Sequence, residues 1–483
     1  MSRIRRMRRS CFPASSIGVT CAAALALPVA LSASAPAAAQ APTGTVAPAP
    51  ASVSSPVSVS GSTQSLLLAP REAGRSFGPS AVEQGLGRRD VRSFSLVGVV
   101  WDDPDAELRG RVQVRTRAKD TAHWSGWQDV ETHNHEHAAD LDTAERSSGR
   151  VRGSTAPLWV GDSDGVEVRV RAEARGRTAA VGAQLLPDGL RLELVDPGSG
   201  FPEGVAGPAP GPGPGPGAEP PPGGTPVDAA QDAERLGTLT AESAAASAVN
   251  ADLAPLGSAE IPALSSEETR EQLADLESGA KPYIGPRPRI VTRRGWGADE
   301  KLRERDFLYT KRVRAAFVHH TASGNNYRCA QAASVIRSIY RYHVVSSGWR
   351  DVGYNFLVDK CGNIYEGRAG GVAKPVMGAH TLGFNTNSMG IAVLGSFTSV
   401  EPPDAAVEAI AQLTAWKLGL YRANPNGKTY LTSGGGNLYR KGKKVRLNVI
   451  SGHRDGFATE CPGGRLYGKL GAARSEAARY QGR

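Results

Sequence analysis

At 483 residues the chain is too long for one ordinary domain, and its 40% hydrophobic content suffices for more than one core. The formal net charge is +10, but five of the arginines stand within the first nine residues, which leaves about +5 for the remainder. This mild basic balance, without a basic helix, excludes nucleic acid as the leading partner and suits contact with an anionic cell wall.

The first 39 residues have the pattern of an export signal. Arg3 to Arg9 form a positive segment, residues 17–31 are apolar, and alanines at 37–39 and 41 offer a cleavage site. The apolar run of about 15 residues is shorter than the ~20 needed to span a bilayer. Residues 1–39 are therefore predicted to be a signal peptide. The mature protein is expected to be secreted, extracellular or wall-associated, without a transmembrane segment.

Residues 40–62 are rich in Ala, Pro, Ser and Thr and are predicted to be a flexible leader. Over residues 63–196, apolar side chains alternate with polar ones, as in Val112-x-Val114 and Val166-x-Val168-x-Val170. This period of two predicts a mostly-β domain, a sandwich, that binds the cell wall or acts as a spacer. Its tryptophans form either a sugar-stacking surface or part of the core; they are Trp101, Trp124, Trp127 and Trp159.

Residues 197–280 are first Pro- and Gly-rich and then Ala-rich, which predicts a linker with few contacts across it. Residues 281–483 then alternate between apolar strand patterns, such as 313–319 and 447–451, and helical patterns at 329–345 and 403–421. The interleaving predicts an α/β domain in which helices flank a central mixed β-sheet.

Three cysteines follow the signal: Cys329, Cys361 and Cys461. In an oxidising compartment two of the three can pair, and the third is available as a metal ligand.

His319 and His453 each stand where a predicted strand ends, and Cys461 follows His453. Ligands collect at neighbouring strand ends of an α/β sheet. Two imidazoles and a thiolate would fill three positions of a tetrahedral zinc site and leave one for water. Spacing alone also allows each histidine to be a packed core residue. A second candidate is the run His133-x-His135-x-His137, which could bind a metal on one strand face or form a polar loop.

Seven motifs occur in order between residues 288 and 470. They are Arg294-Gly-Trp-Gly-Ala298, Phe317-Val-His-His-Thr-Ala322, Gly348-Trp-Arg-Asp-Val-Gly-Tyr-Asn-Phe356, Ile364-Tyr-Glu-Gly-Arg368, Gly378-Ala-His380, Gly383-Phe-Asn-Thr-Asn-Ser388 and Gly452-His-Arg-Asp-Gly-Phe-Ala-Thr-Glu-Cys-Pro462. With these motifs the segment resembles the peptidoglycan recognition protein family, which is related to phage and bacterial N-acetylmuramoyl-L-alanine amidases.

The resemblance implies roles by position. His319, His453 and Cys461 match zinc ligands, so Zn²⁺ is the expected cofactor. Tyr354 matches a catalytic tyrosine near the metal-bound water, and Thr459 stands where phage relatives place a catalytic lysine. With Cys461 assigned to zinc, Cys329 and Cys361 remain as the disulfide pair.

The chemistry agrees with these roles, because zinc can polarise an amide carbonyl and supply hydroxide near neutral pH. No His-Glu-x-x-His motif supplies a carboxylate base, so the Tyr354 phenol is the expected proton handler. His380, Asn385 and Trp349 are predicted to line a substrate groove, whereas His320 is expected to pack on the opposite strand face.

The predicted function is hydrolysis of the amide bond between N-acetylmuramic acid and L-alanine in peptidoglycan stem peptides by a monomeric zinc enzyme. Muramyl peptides are the expected partner. One alternative is a peptidoglycan-binding module without catalysis, although family binders typically lose the cysteine ligand that Cys461 supplies. The other is a zinc peptidase that cuts within the stem peptide.

Overall fold

A computed structural model describes residues 60–71, 83–132, 134–173, 186–199, 239–274 and 283–483. The predicted signal peptide, the leader up to residue 59, His133 and much of the predicted linker lie outside these ranges. Within them, no helix is long and apolar enough to cross a membrane.

The N-terminal part is built from antiparallel strands, which confirms the mostly-β prediction. They are β1 (Ser60–Leu67), β2 (Ala69–Arg71), β3 (Glu83–Trp101), β4 (Gly110–Ala118), β5 (Gln128–Val130), β6 (Gly153–Ser154), β7 (Leu158–Ala172) and β8 (Arg191–Gly198). They form one hydrogen-bonded sheet in the order β1-β8-β3-β7-β4-β5, with β2 and β6 paired to β3. The pairing of the 19-residue β3 with β7 shifts register in three places, as at β-bulges that bend a strand.

The alternating apolar residues of these strands form a single core. Val112 on β4 and Val168 on β7 share one buried cluster with Leu192 and Leu194 of β8. Strand β3 lies between β7 and β8 in the sheet, so side chains of non-adjacent strands meet in this shared interior. Trp101 and Trp159 are buried, and the other two tryptophans lie under arginines, with the Arg169 guanidinium 4.0 Å from the Trp127 ring.

The C-terminal part is the predicted α/β domain. Its strands are β9 (Glu260–Ile261), β10 (Ile290–Val291), β11 (Ala315–His320), β12 (Phe356–Val358), β13 (Ile364–Glu366), β14 (Ser388–Val393), β15 (Lys428–Thr432), β16 (Lys444–Asn448) and β17 (Ile450–Gly452). Seven of them form a mixed sheet in the order β17-β11-β14-β12-β13-β10-β9, and β15 pairs with β16. Strand β11 is parallel to both β14 and β17, whereas β12 and β13 are antiparallel to each other.

Helices flank this sheet, as predicted. They are α1 (Ala241–Ala248), α2 (Ser266–Ala274), α3 (Ala332–Arg341), α4 (Asp404–Gly419) and α5 (Gly464–Tyr480). One face of the sheet, with Val318 of β11, packs with Trp416 of α4 and Leu470 of α5. Ala392 of β14 belongs to a second cluster with α3. Since neighbouring strand residues face opposite ways, His319 points away from the α4 and α5 side.

The two parts share a hydrophobic core, which differs from the few contacts expected across a linker. Leu96 and Val195 of the N-terminal sheet are buried in one cluster with Ile336 and Tyr342 of the C-terminal part. The Tyr342 hydroxyl donates to the Thr155 carbonyl oxygen at 3.1 Å. Helices α1 and α2 and strand β9 also fall within the predicted linker, where β9 extends the C-terminal sheet through β10.

Ile336 is fully buried in the shared cluster, so we expect Ile336→Ala to lower the free energy of unfolding by about 2–5 kcal/mol. The loss should appear in one cooperative transition, measured by urea unfolding with far-UV circular dichroism. Val345, 42% exposed, provides the control, and Val345→Ala should change stability by less than about 0.5 kcal/mol. Separate unfolding of the two parts would contradict a common core.

Candidate metal centre

Two parallel strands carry the histidines to one edge of the sheet. His319 is the penultimate residue of β11, and His453 directly follows β17 in a short 3₁₀ turn. Ala316 pairs with Ile450 and Val318 with Gly452, so His319 and His453 are the next residues along the two strands. Cys461 follows in the same connection, and all three side chains are buried.

The potential ligand atoms of these residues lie close together, and those of His137, from the N-terminal part, lie among them. All four ligand atoms fall within 4.8 Å of one another. Cys461 Sγ lies 3.7 Å from His319 Nδ1, and the His319 and His453 ring centroids are 4.6 Å apart. Zinc bonds of about 2.0–2.3 Å place tetrahedral ligand atoms roughly 3–4 Å apart, which the sulfur–nitrogen distance matches.

Several buried nitrogens here have no hydrogen-bond partner among the described residues: both ring nitrogens of His453 and Nε2 of His137. Buried polar atoms are normally paired, and a cation would satisfy one nitrogen of each ring. Burial and the neighbouring His453 lower the pKa of His319 well below its usual value. Burial, with His137 nearby, does the same to the pKa of His453. The rings are therefore neutral, the form that binds metal, and the donor set fits zinc.

The orientation of His319 is fixed by neighbours behind it. Its Nε2 lies 3.2 Å from His380 Nδ1 and 3.3 Å from Thr381 Oγ1, so Nδ1 faces Cys461. The Asn385 side-chain oxygen accepts hydrogen bonds from the backbone N–H groups of His380 and Thr381. Such outer contacts fix the tautomer and direction of a ligating imidazole. His380 and Asn385, predicted to bind substrate, thus lie buried behind the ligands.

The other predicted site residues also lie around this centre. The Tyr354 ring is 5.5 Å from that of His319, and burial together with Cys461 raises the pKa of its phenol well above the usual value. The phenol therefore remains a proton donor. Thr459 Oγ1 accepts from the Cys461 backbone N–H at 3.1 Å and donates to Glu136 at 2.7 Å. Trp349 is buried and its ring lies 4.3 Å from that of His343.

His320 packs as expected from its place on the opposite strand face. Its Nδ1 accepts from the Phe397 backbone N–H at 3.2 Å, and burial lowers its pKa to about 4. Cys329 and Cys361 form the predicted disulfide, with their Cα atoms 6.2 Å apart. Cys461 is the free cysteine of the described residues.

Two further residues at the centre come from the loop after β5: His137, which the sequence placed in a separate three-histidine candidate site, and Glu136, which it did not single out. His137 joins the cluster, and Glu136 contacts Thr459. The His133-x-His135-x-His137 run was a visible signal, but residues 134–145 form turns and not the strand that would align the rings. His135 turns instead towards Glu107 and Glu136, at 3.5 and 3.4 Å.

Two family models match parts of the chain. Residues 309–464 match the N-acetylmuramoyl-L-alanine amidase family, and residues 36–187 match the Rv3811 N-terminal galactose-binding domain-like family. The chain is 32% identical to peptidoglycan-recognition protein SC2 of Drosophila simulans over 183 residues, 38% of this chain and 84% of that protein. The chain belongs to the peptidoglycan-recognition protein family.

Two further matches, to a human protein and to a solved structure, cover different shares of the matched proteins. The Homo sapiens N-acetylmuramoyl-L-alanine amidase is 31% identical over 215 residues, which cover 42% of this chain and 32% of that protein. The solved structure of Drosophila PGRP-LB is 26% identical, covers 38% of this chain and 91% of its own, and gives a TM-score of 0.30.

Thr381→Val should weaken zinc binding about tenfold, because the hydroxyl that contacts His319 Nε2 would be lost while the ligands remain. Competition with a chromogenic chelator measures this affinity. Thr398 is exposed, and Thr398→Val is the matched control with unchanged affinity. An unchanged zinc affinity in Thr381→Val would show that the hydroxyl does not orient the ligand.

Proposed function

We propose that this protein is a secreted, monomeric zinc-dependent amidase that cleaves the bond between N-acetylmuramic acid and L-alanine in peptidoglycan. The observation that carries the proposal is the meeting of His319, His453 and Cys461 within 4.8 Å beside the buried Tyr354. The match to the amidase family and the likeness to the human amidase support the same reaction.

In this mechanism His319, His453 and Cys461 would hold the zinc ion. When bound, zinc supplies Lewis-acid polarisation of a carbonyl and a lower pKa for water. The protonated phenol of Tyr354 would donate a hydrogen bond to the carbonyl oxygen as negative charge develops there. The Thr459 hydroxyl, two residues before Cys461, could supply a second donor. Burial of Tyr354 strengthens its hydrogen bond, because the local dielectric constant is lower than that of water.

The rival function is recognition of muramyl peptides without cleavage, as the names of several relatives suggest. The buried Cys461 favours the enzyme, since its sulfur lies 3.7 Å from His319 Nδ1 and completes a three-ligand set. A zinc peptidase acting within the stem peptide is the other rival, and it differs in product. The amidase frees the intact stem peptide, whereas the peptidase leaves L-alanine on the sugar.

We expect Cys461→Ala to bind zinc far more weakly and to lose release of stem peptide, because the thiolate ligand is removed. Tyr354→Phe should retain zinc while kcat falls about 10²–10³-fold, since only a transition-state donor is lost. The assay is mass spectrometry of products from defined muropeptides, with zinc content measured in parallel. Tyr430 is 58% exposed, and Tyr430→Phe is the matched control with unchanged kcat.

Failure of the zinc-loaded protein to release stem peptide, both as wild type and with His137 replaced, would overturn the amidase function. Tight binding of the muropeptide in that case would favour recognition. Retention of wild-type turnover by Cys461→Ala would overturn the assignment of the metal ligands.

A further inference from the structure

The loop between β5 and β6 reaches across the candidate metal centre. We propose that His137 is a fourth zinc ligand and that residues 134–145, the closing segment, hold the enzyme in a latent state. This inference rests on the proposed amidase function. The segment that covers the candidate metal centre thus belongs to the same chain.

The first observation is the placement of the His137 ring. The ring stacks on His453 with centroids 4.6 Å apart and planes at 27°, and its centroid lies 5.2 Å from that of His319. Its Nε2 atom is buried and has no hydrogen-bond partner within the described parts of the chain. A fully buried, unpartnered nitrogen among three other ligand atoms is the arrangement expected of a coordinating imidazole.

The second observation is the support behind that ring. His137 Nδ1 lies 3.0 Å from the side-chain oxygen of Asn134, so Nε2 is the nitrogen left for a metal. The Asn134 amide nitrogen donates to the Thr155 carbonyl oxygen at 3.2 Å and to the Ser154 hydroxyl at 3.3 Å, which fixes its orientation. Metal-binding histidines usually have their second nitrogen held by an oxygen acceptor in this way.

The closing segment also forms a hydrogen bond with Thr459, the second donor in the proposed mechanism. Glu136 accepts the hydrogen bond of the Thr459 hydroxyl at 2.7 Å, so this hydroxyl is not available to a substrate. The Glu136 backbone oxygen accepts from the Leu382 N–H at 2.9 Å. The segment therefore contacts residues in the immediate surroundings of the ligands through both the side chain and the backbone of Glu136.

Buried polar contacts anchor the remainder of the segment. Asp140 Oδ1 accepts hydrogen bonds from the Gly383 N–H and the Asn385 amide, both at 2.7 Å. Glu145 binds the Arg368 guanidinium through two hydrogen bonds of 2.8 and 2.9 Å, with both side chains buried. Bidentate pairs of this kind fix geometry, so the segment is docked in one defined position.

Four protein ligands make a closed zinc site, whereas catalytic zinc sites retain a position for water or substrate. Coordination by His137 would leave no such position. Turnover would then require displacement of the closing segment, and the observed rate would fall with the fraction of molecules in which the site is open.

The coordination is tested on the zinc-loaded full chain by X-ray absorption at the zinc edge. We expect the wild type to show three imidazoles and one sulfur, and His137→Ala to show two imidazoles, one sulfur and an oxygen. His135→Ala removes a nearby histidine that lies outside the ligand cluster and should match the wild type. Two imidazoles in the wild type would overturn the proposal without reference to any variant.

Hydrogen exchange and activity provide independent readouts. Zinc should slow exchange over residues 134–145 in the wild type and in His135→Ala, but not in His137→Ala. At equal zinc occupancy, His137→Ala should release stem peptide at least about tenfold faster than wild type. An active wild type that His137→Ala does not exceed would overturn latency. Three imidazoles in the wild type, with no cleavage by any variant, would support His137 coordination and overturn the amidase function instead.

Discussion

The register between β11 and β17 is the constraint on which the metal centre depends. Val318 pairs with Gly452, so the following residues, His319 and His453, leave the two parallel strands side by side. A slip of one residue in β11 would turn His319 towards α4 and α5 and bring Val318 or His320 to its place. Burial of Val318 with Trp416 opposes that slip. The packing of one sheet face thus determines the chemistry of the other.

The same arrangement carries an electrostatic cost. Burial lowers the pKa of His319 and His453 and raises the pKa of the Cys461 thiol well above its ordinary value. The centre is therefore neutral, and both nitrogens of His453 lack partners among the described residues. Unsatisfied buried groups cost about 1–3 kcal/mol each. A divalent cation would reverse this by favouring the thiolate, so zinc binding and stability of this edge are coupled.

Local sequence patterns and family motifs predict much of this molecule. The period of two predicts the N-terminal strands, and the motifs at His319, His453 and Cys461 predict residues that the fold brings within 4.8 Å. These patterns do not predict how distant parts of the chain pack against one another. His137 belongs to a run with a histidine at every second residue, but it lies in a turn and its neighbours in space lie in a different part of the chain. Gly98 is similar: a Cβ there would lie 2.3 Å from the Tyr342 hydroxyl, a constraint visible only after docking.

Two sets of contacts join the N-terminal part to the C-terminal part, those between the two sheets and those of the closing segment. Their chemistry determines which motion can open the centre. The two sheets meet through buried apolar side chains, including Leu96 and Ile336, whose separation would expose hydrophobic surface at about 25 cal/mol per Å². The closing segment is held mainly by polar contacts, such as those of Asp140 with Gly383 and Asn385. Hydrogen bonds to charged groups contribute about 1.5–3 kcal/mol net each, and the buried pair of Glu145 with Arg368 adds to them. Movement of residues 134–145 would break these polar contacts and leave the apolar interface between the two parts intact. An activating ligand or substrate would need to displace the segment alone.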